Sequence, residues 1–158
     1  GDVMPSRKVK AYLDGAGVKY DVIEHPIVYT AQEIAAVTHV KGKELAKAVI
    51  VKADGEIVML ALPATRKINF ETLKGILGSE STALAKEEDF VSLFPDCETG
   101  AMPPFGKLYN IPVIVDQSLN EDKDVVFNAG THHDIIRISF EDFKRLESPR
   151  IAAFTIHI

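Results

Sequence analysis

Apolar and polar residues alternate along this chain with two periods, and the boundaries between them mark the elements. Ser6–Gly15 repeats apolar residues at helical spacing, with Ser6 as a possible N-cap and Gly15 and Gly17 marking its end. In Val18–Glu24, Val18, Tyr20 and Val22 alternate with Lys19 and Asp21, the two-residue period of a strand. His25-Pro26 breaks that run, because the residue before a proline is pushed out of the helical region and the proline offers no N–H. Thr30-Ala31-Gln32-Glu33 has the form of a capping box and predicts a helix through about His39. Two apolar runs, Ala46–Ala53 and Glu56–Leu62, flank Asp54-Gly55, a dipeptide suited to a tight hairpin turn whose central residues both need positive φ.

The second half reads as shorter pieces. Asn69 caps a predicted helix that ends at Gly78, and Glu87–Phe94 reads as a short helix with an acidic start. Pro112–Asp116, Asp124–Asn128 and Asp134–Ile138 are β-branched and predict strands, the last two joined by Ala129–His133. Ser139 caps a helix through about Leu146, helped by Glu141 and Asp142 in its first turn, and Arg150–Ile156 reads as one final strand. Hairpins mixed with helices and no regular strand–helix–strand rhythm predict an α+β fold with a mixed, mostly antiparallel sheet. The 158 residues carry no repeat and no linker-like stretch, so the expectation is one domain over 1–158.

Composition narrows the chemistry. A hydrophobic share of 46 % is ample for a core, while the longest apolar runs, such as Ile57–Leu62, are far too short to cross a bilayer. Ser6–Lys10 is polar and basic with no apolar segment behind it, unlike a secretory signal. A single Cys97 cannot build a disulfide framework and fits a reducing cytoplasm. Net charge is −5, which argues against indiscriminate DNA coating. It is uneven: residues 1–79 hold 11 Lys/Arg against 9 Asp/Glu (+2), and residues 80–158 hold 7 against 14 (−7). The positive charge gathers in Arg7-Lys8-Lys10, Lys41-Lys43-Lys47 and Arg66-Lys67. A polyanion could meet that half, although the same clusters also suit a solvated surface.

Several chemistries are unsupported. His132-His133 are neighbours on a strand-like stretch and point to opposite faces, and no Cys-x-x-Cys or His-x-x-x-His exists, so no metal site is expected. No Gly-x-Ser-x-Gly elbow, Walker loop or dinucleotide fingerprint occurs, so neither a serine hydrolase nor an ATP- or NAD-dependent enzyme is indicated, and no cofactor is expected. Cys97 has no base nearby in sequence and reads as an ordinary, partly buried thiol.

The stretch that stands out is Gly100-Ala101-Met102-Pro103-Pro104-Phe105-Gly106. Its backbone is stiff and preset, and it has almost no polar side chains, so its contribution to a site must come from main-chain groups and shape. Two polar side chains complete the picture. Lys47, on an otherwise Ala/Val strand, can anchor a phosphate or sugar oxygen, or simply guard a sheet edge. His132, in the Gly130-Thr131 turn, can donate to a carbonyl or orient a water, or serve only its own turn.

In order along the chain, His25-Pro26-x-Val28-Tyr29-Thr30, Lys47, Pro63, Asn69, Leu73, Gly78, Ala85, Gly100-x-x-x-Pro104-Phe105-Gly106, Asp116, Phe127–His132 and Asp142-Phe143 resemble the YbaK / prolyl-tRNA-synthetase-associated editing-domain family. The ordered set, spanning roughly 8–147, carries the resemblance; no single motif would. It implies a sheet wrapped partly into a barrel with helices around it. It also implies metal-independent, free-standing hydrolysis of the ester joining a small wrong amino acid (alanine, cysteine, serine or threonine class) to tRNA, with tRNA(Pro) the expected carrier. Lys47 would hold the terminal adenosine or its phosphate. Gly100, Ala101, Met102, Pro103, Pro104 and Phe105 would orient the aminoacyl carbonyl and set pocket size. His132, directly after Gly130-Thr131, would contact substrate or water, and Asn128, Gly130 and Thr131 would shape that wall. Tyr29 and Thr30 would line the entrance. The expected partners are the acceptor end of a mischarged tRNA and an aminoacyl-tRNA synthetase, with neither DNA nor membrane. Alanine-directed members resemble Lys-Asn at the strand lysine; Lys47-Ala48 departs from that and leaves cysteinyl-, seryl- and threonyl-tRNA open. A different class of reading is a tRNA- or synthetase-binding module with little catalysis.

Overall fold

A computed structural model describes residues 5–24, 42–121, 123–132 and 134–157. The first helix, α1 (Pro5–Gly15), buries Val9 and Leu13 along one face. It exits through Gly17, at φ +69°, and the Val18 N–H reaches back to the Leu13 carbonyl at 3.0 Å. Only a residue without Cβ takes that left-handed exit at no steric cost. Because Val18 is spent closing the helix, the first strand is shorter than its alternation predicts: β1 is Asp21–Glu24. Lys41, Tyr29, Thr30, His133 and the helix expected over 30–39 lie outside the described residues.

The hairpin forms as the sequence indicates. β2 (Ala46–Ala53) and β3 (Glu56–Pro63) pair antiparallel across Asp54 and Gly55, whose φ values of 49° and 86° are both positive. The Asp54 carboxylate also accepts the N–H groups of Glu80 and Ser81, which docks a strand that periodicity does not reveal, β5 (Thr82–Leu84), against β2. Between them lie β4 (Arg66–Ile68) and α2 (Phe70–Leu77). α2 begins at Asn69, whose side chain accepts from Thr72 N, and ends at Gly78 in the left-handed region. The acidic helix is one turn long, α3 (Glu87–Phe90), and tightens into a 3-10 turn over Val91–Leu93 before Pro95.

Next come β6 (Val113–Asp116), β7 (Asp124–Asn128), β8 (Asp134–Ser139) and α4 (Phe140–Glu147), whose N-cap Ser139 accepts from Asp142 N. The single final strand expected over 150–156 is two strands, β9 (Arg150–Ala152) and β10 (Thr155–His157). Between them Phe154 is fully buried and its N–H donates to Asp116 Oδ1, so the chain leaves one sheet to bury that ring and joins another.

The sheets run β5-β2-β3-β6-β9, β1-β8-β7 and β10-β4. The β3–β6 and β6–β9 pairs are parallel and the other pairs antiparallel. A parallel bridge between Leu45 and Val126 links the start of β2 to β7, so the five-stranded and three-stranded sheets meet there. This is the mixed α+β architecture expected. One face of the five-stranded sheet packs Ala46, Ile50, Met59 and Val115 with α1, β7, β8 and α4. The opposite face packs Val51, Leu60, Leu62 and Ile114 with Leu73 of α2 and Phe154. Both faces are dry, which is why β3 reads as a nearly continuous apolar run.

Candidate functional site

The Gly/Pro loop is anchored at its far end. Phe105 is fully buried and meets the rings of Tyr12, Phe127 and Phe143 at 5.7, 5.1 and 5.4 Å. Ala101, Met102, Pro103 and Pro104 are buried as well. Met102 and Phe105 belong to the principal core, so their side chains point into the protein and the loop can offer a ligand little besides backbone. Behind the loop, Lys107 N–H donates to the buried Glu147 carboxylate at the end of α4. Burial pushes that carboxyl up to about 7, partly offset by the Lys107 bond and charge.

Main-chain bonds stitch this loop to the β7–β8 turn. Glu98 N–H donates to Gly130 O at 2.8 Å, and Gly130 N–H donates to Ala101 O at 2.9 Å. Gly100 (φ +85°) and Gly130 (φ +99°) supply the two backbone conformations that the stitching needs. Thr131 closes the turn: its hydroxyl donates to Asp134 Oδ2 at 2.6 Å and accepts from Asp134 N at 3.0 Å, with both residues buried. The turn thereby sets the position of His132.

His132 is nearly buried, and its Nδ1 lies 2.8 Å from Glu98 Oε2. A carboxylate can only accept, so Nδ1 carries the proton in this bond. The other ring nitrogen, Nε2, lies 3.5 Å from where a Cβ on Gly100 would stand. Glu98 thus holds the imidazole over the exposed backbone of Gly100. Glu98 is the site residue that sequence reasoning missed. An exposed glutamate two residues before a glycine carries no periodic signal; only the folded loop brings it to a histidine 34 positions away.

Lys47 enters from β2. Residues 45, 47, 49 and 51 share one face of that strand, and Leu45 packs against Val126 and Ile135. Leu45 and Val126 meet in one isolated parallel bridge, with Lys47 two residues further along β2 and Asn128 two residues further along β7. By alternation Lys47 lies on the β2 face that carries Val49 and Val51, and its register partner on β3 is Leu62. Lys47 is half-buried, and burial depresses its pKa because the ammonium has lost part of its water. Asn128 Oδ1 is buried and has no hydrogen-bond partner among the described residues. An unsatisfied buried acceptor is uncommon in a folded protein and is suited to a ligand's donor.

Cys97, beside this loop, is not built for nucleophilic work. Burial pushes its thiol up to about 11 against a lowering contact from Tyr109, and its Sγ sits 3.2 Å from the Tyr109 hydroxyl. No cluster of three metal-ligating side chains occurs among the described residues. None of the helices among them is long and apolar enough to cross a membrane.

Residues 25–146 match the family model of the aminoacyl-tRNA editing domain. The chain belongs to that family. The proline–tRNA ligase of Thermosipho melanesiensis is 29% identical over 126 residues, which cover 78% of this chain but only 22% of the ligase. The editing domain described here thus spans about a fifth of the length of the ligases it matches. The prolyl-tRNA editing protein ProX of Acetoanaerobium sticklandii is 25% identical over 151 residues and is covered to 92% on both sides. Among solved structures, a candidate trans-editing enzyme for prolyl tRNA synthetase superposes with a TM-score of 0.84 at 19% identity, covering 99% of each chain. At that identity the likeness concerns the fold. Translation fidelity is the setting in which this editing domain belongs.

Proposed function

We propose that this editing domain is a free-standing deacylase that hydrolyses the ester of a small mischarged amino acid on tRNA, with tRNA(Pro) as the first candidate. The observation that carries the reading is His132 held by Glu98 over the open backbone of Gly100, in a loop whose next five residues, 101–105, are buried. Such a site positions an ester and a water rather than supplying a nucleophile. Water adds to the ester carbonyl, the bond from the acyl carbon to the ribose oxygen breaks, and that oxygen takes a proton. The products are a free amino acid and an intact tRNA. Lys47 anchors the terminal adenosine or its phosphate, and Gly100 presents main chain to the carbonyl. His132 contacts substrate or water, and Asn128 and Gly130 complete the wall. Tyr29 and Thr30 are assigned to the entrance by the family resemblance alone. The likeness to ProX, a prolyl-tRNA editing protein, supports an editing role, and the partners assigned with it are the acceptor end of a mischarged tRNA and a synthetase.

A rigid pocket is what editing requires. One methylene changes binding by only about 1–3 kcal/mol, so a synthetase admits small analogues and a second, tighter sieve removes them. The walls here are held by the Phe105 cluster and by two reciprocal main-chain bonds, and neither yields easily to a larger side chain. The test is hydrolysis of alanyl-, cysteinyl-, seryl- and threonyl-tRNA(Pro), with prolyl-tRNA(Pro) as control. Selective loss of one mischarged species is expected. If every ester survives while tRNA is still bound, the chain is a binding module.

Glu98 separates positioning from bulk structure. Its side chain is 44 % exposed, and its backbone bond to Gly130 does not depend on the carboxylate. Glu98→Ala should lower hydrolysis roughly 10- to 100-fold, the scale of general acid–base assistance, with little change in Tm. Glu98→Gln, whose amide oxygen can still accept from Nδ1, should recover most of the rate. Equal rates for the Ala and Gln variants would remove Glu98 from this role.

A further inference from the structure

Two of the basic clusters found in the sequence lie about 20 residues apart, and the fold brings them to one cleft. Lys43, just before β2, and Arg66, at the start of β4, both line a hollow of about 200 Å³ with Pro63, Thr65, Ser118 and His157. A second hollow of about 280 Å³ shares Arg66, Ser118, Glu121 and His157 with it, so the two form one surface groove. The groove opens at the end of the β2–β3 hairpin that carries Lys47: Pro63 pairs with Ala46, and Leu62 with Lys47.

Arg66 is held rather than loose. Its Nε donates to Thr155 Oγ1 at 2.6 Å, one terminal nitrogen donates to Thr155 O at 3.1 Å, and the other lies 3.1 Å from His157 Nε2. Two of these partners are the hydroxyl and carbonyl oxygens of Thr155, and the third is a ring nitrogen of His157. A guanidinium has five N–H groups, so two remain, one on each terminal nitrogen. No carboxylate forms an ion pair with Arg66 among the described residues. The nearby Asp116 is turned inward. Its Oδ1 accepts from Phe154 N, and its Oδ2 accepts from Ser118 N, the Ser118 hydroxyl and the Thr155 hydroxyl. Asp116 thus fixes Thr155, which fixes Arg66. Asp116 also lines the second hollow, and Glu121, exposed on the rim, is the further opposing charge.

We propose that this groove binds backbone phosphate of the RNA whose acylated end enters the Lys47–His132 site, with Arg66 as the principal contact. The proposal rests on the deacylase reading for the identity of the RNA. A pinned guanidinium with two spare N–H groups suits a phosphate, because little side-chain freedom is lost on binding. It also gives the basic half of an acidic protein a job that bulk charge could not do.

The test is binding of a deacylated tRNA(Pro) transcript to the whole chain across a range of NaCl concentrations. Arg66→Ala should weaken binding roughly 5- to 10-fold at moderate salt and lower the magnitude of the log–log salt slope by about one. Glu121→Gln removes the rim carboxylate without touching Arg66's bonds, so it keeps the question open if Arg66→Ala fails to fold. It should tighten binding about 2- to 5-fold at low salt. Unchanged affinity in either folded variant would overturn the groove assignment. The two readings fail separately. A wild-type protein that shows these binding shifts but hydrolyses no ester would end the deacylase reading and keep the groove. An active wild type with an unaffected Arg66→Ala would do the reverse.

Discussion

Lys47→Ala is expected to slow hydrolysis of the mischarged tRNA by about 100-fold or more, the scale seen when a stabilising donor is removed from a transition-state site, and to leave Tm within a few degrees of wild type. The two halves of this expectation have different causes. The side chain is half-buried, and its pKa is depressed by burial. A lysine whose folded-state pKa lies below its unfolded value opposes folding while it is charged, and that opposition fades only as pH rises through the depressed value. At neutral pH, truncation therefore removes a destabilising charge along with some packing, and the net change in stability is small. Lys47→Met keeps the stem and loses only the charge, so it should equal or exceed wild type in Tm and share the loss of activity. If rate and Tm fall together in both variants, Lys47 is a structural residue and the site must be redrawn.

Gly106→Ala and Gly100→Ala should behave oppositely, although they bracket the same loop. At Gly106 a Cβ would stand 2.1 Å from the Ile111 carbonyl oxygen and 2.3 Å from Val113 Cγ2. The first is backbone and cannot swing aside. The same glycine's carbonyl also accepts from Tyr109 N and Ile111 N, so the turn has no slack. A loss of about 3 kcal/mol is expected, read as roughly a 10 °C fall in Tm, with activity falling in step. At Gly100 the added methyl meets His132 Nε2 at 3.5 Å, an ordinary contact. The left-handed φ of +85° costs an alanine only about 1–2 kcal/mol. Gly100→Ala should therefore fold, yet lose at least about tenfold in hydrolysis because the methyl stands where the ester is placed. A Gly100→Ala protein with full turnover would show that the carbonyl does not lie against this loop. Thermal melts on the two variants side by side separate the structural glycine from the functional one.

Local chemistry made much of this protein readable as a string. The Asp54-Gly55 hairpin, the Asn69 and Ser139 caps and the strands on either side of Ala129–His133 appear where the residues indicate, because each depends on neighbours within a few positions. β4 and β5 were not readable. Three residues are too few to show a period, and β5 is held by the Asp54 carboxylate from another turn. The final strand was legible as apolar alternation but not as two pieces, since the break is imposed by burying Phe154 against α2's side of the sheet.

The candidate site divides the same way. Sequence alone singled out the Gly/Pro loop, Lys47 and the Gly130–His132 turn, because unusual residue types mark stiff backbone and misplaced charge. It could not pair them. The tertiary structure decided that the start of β2 meets β7 at the Leu45–Val126 bridge. It also decided that Glu98 holds His132 over Gly100, and that Lys43 and Arg66 meet in one groove. These are contacts between residues distant in the chain, set by how sheets join and by which rings must be buried. No local pattern encodes them, because their energy arises only once the core has closed.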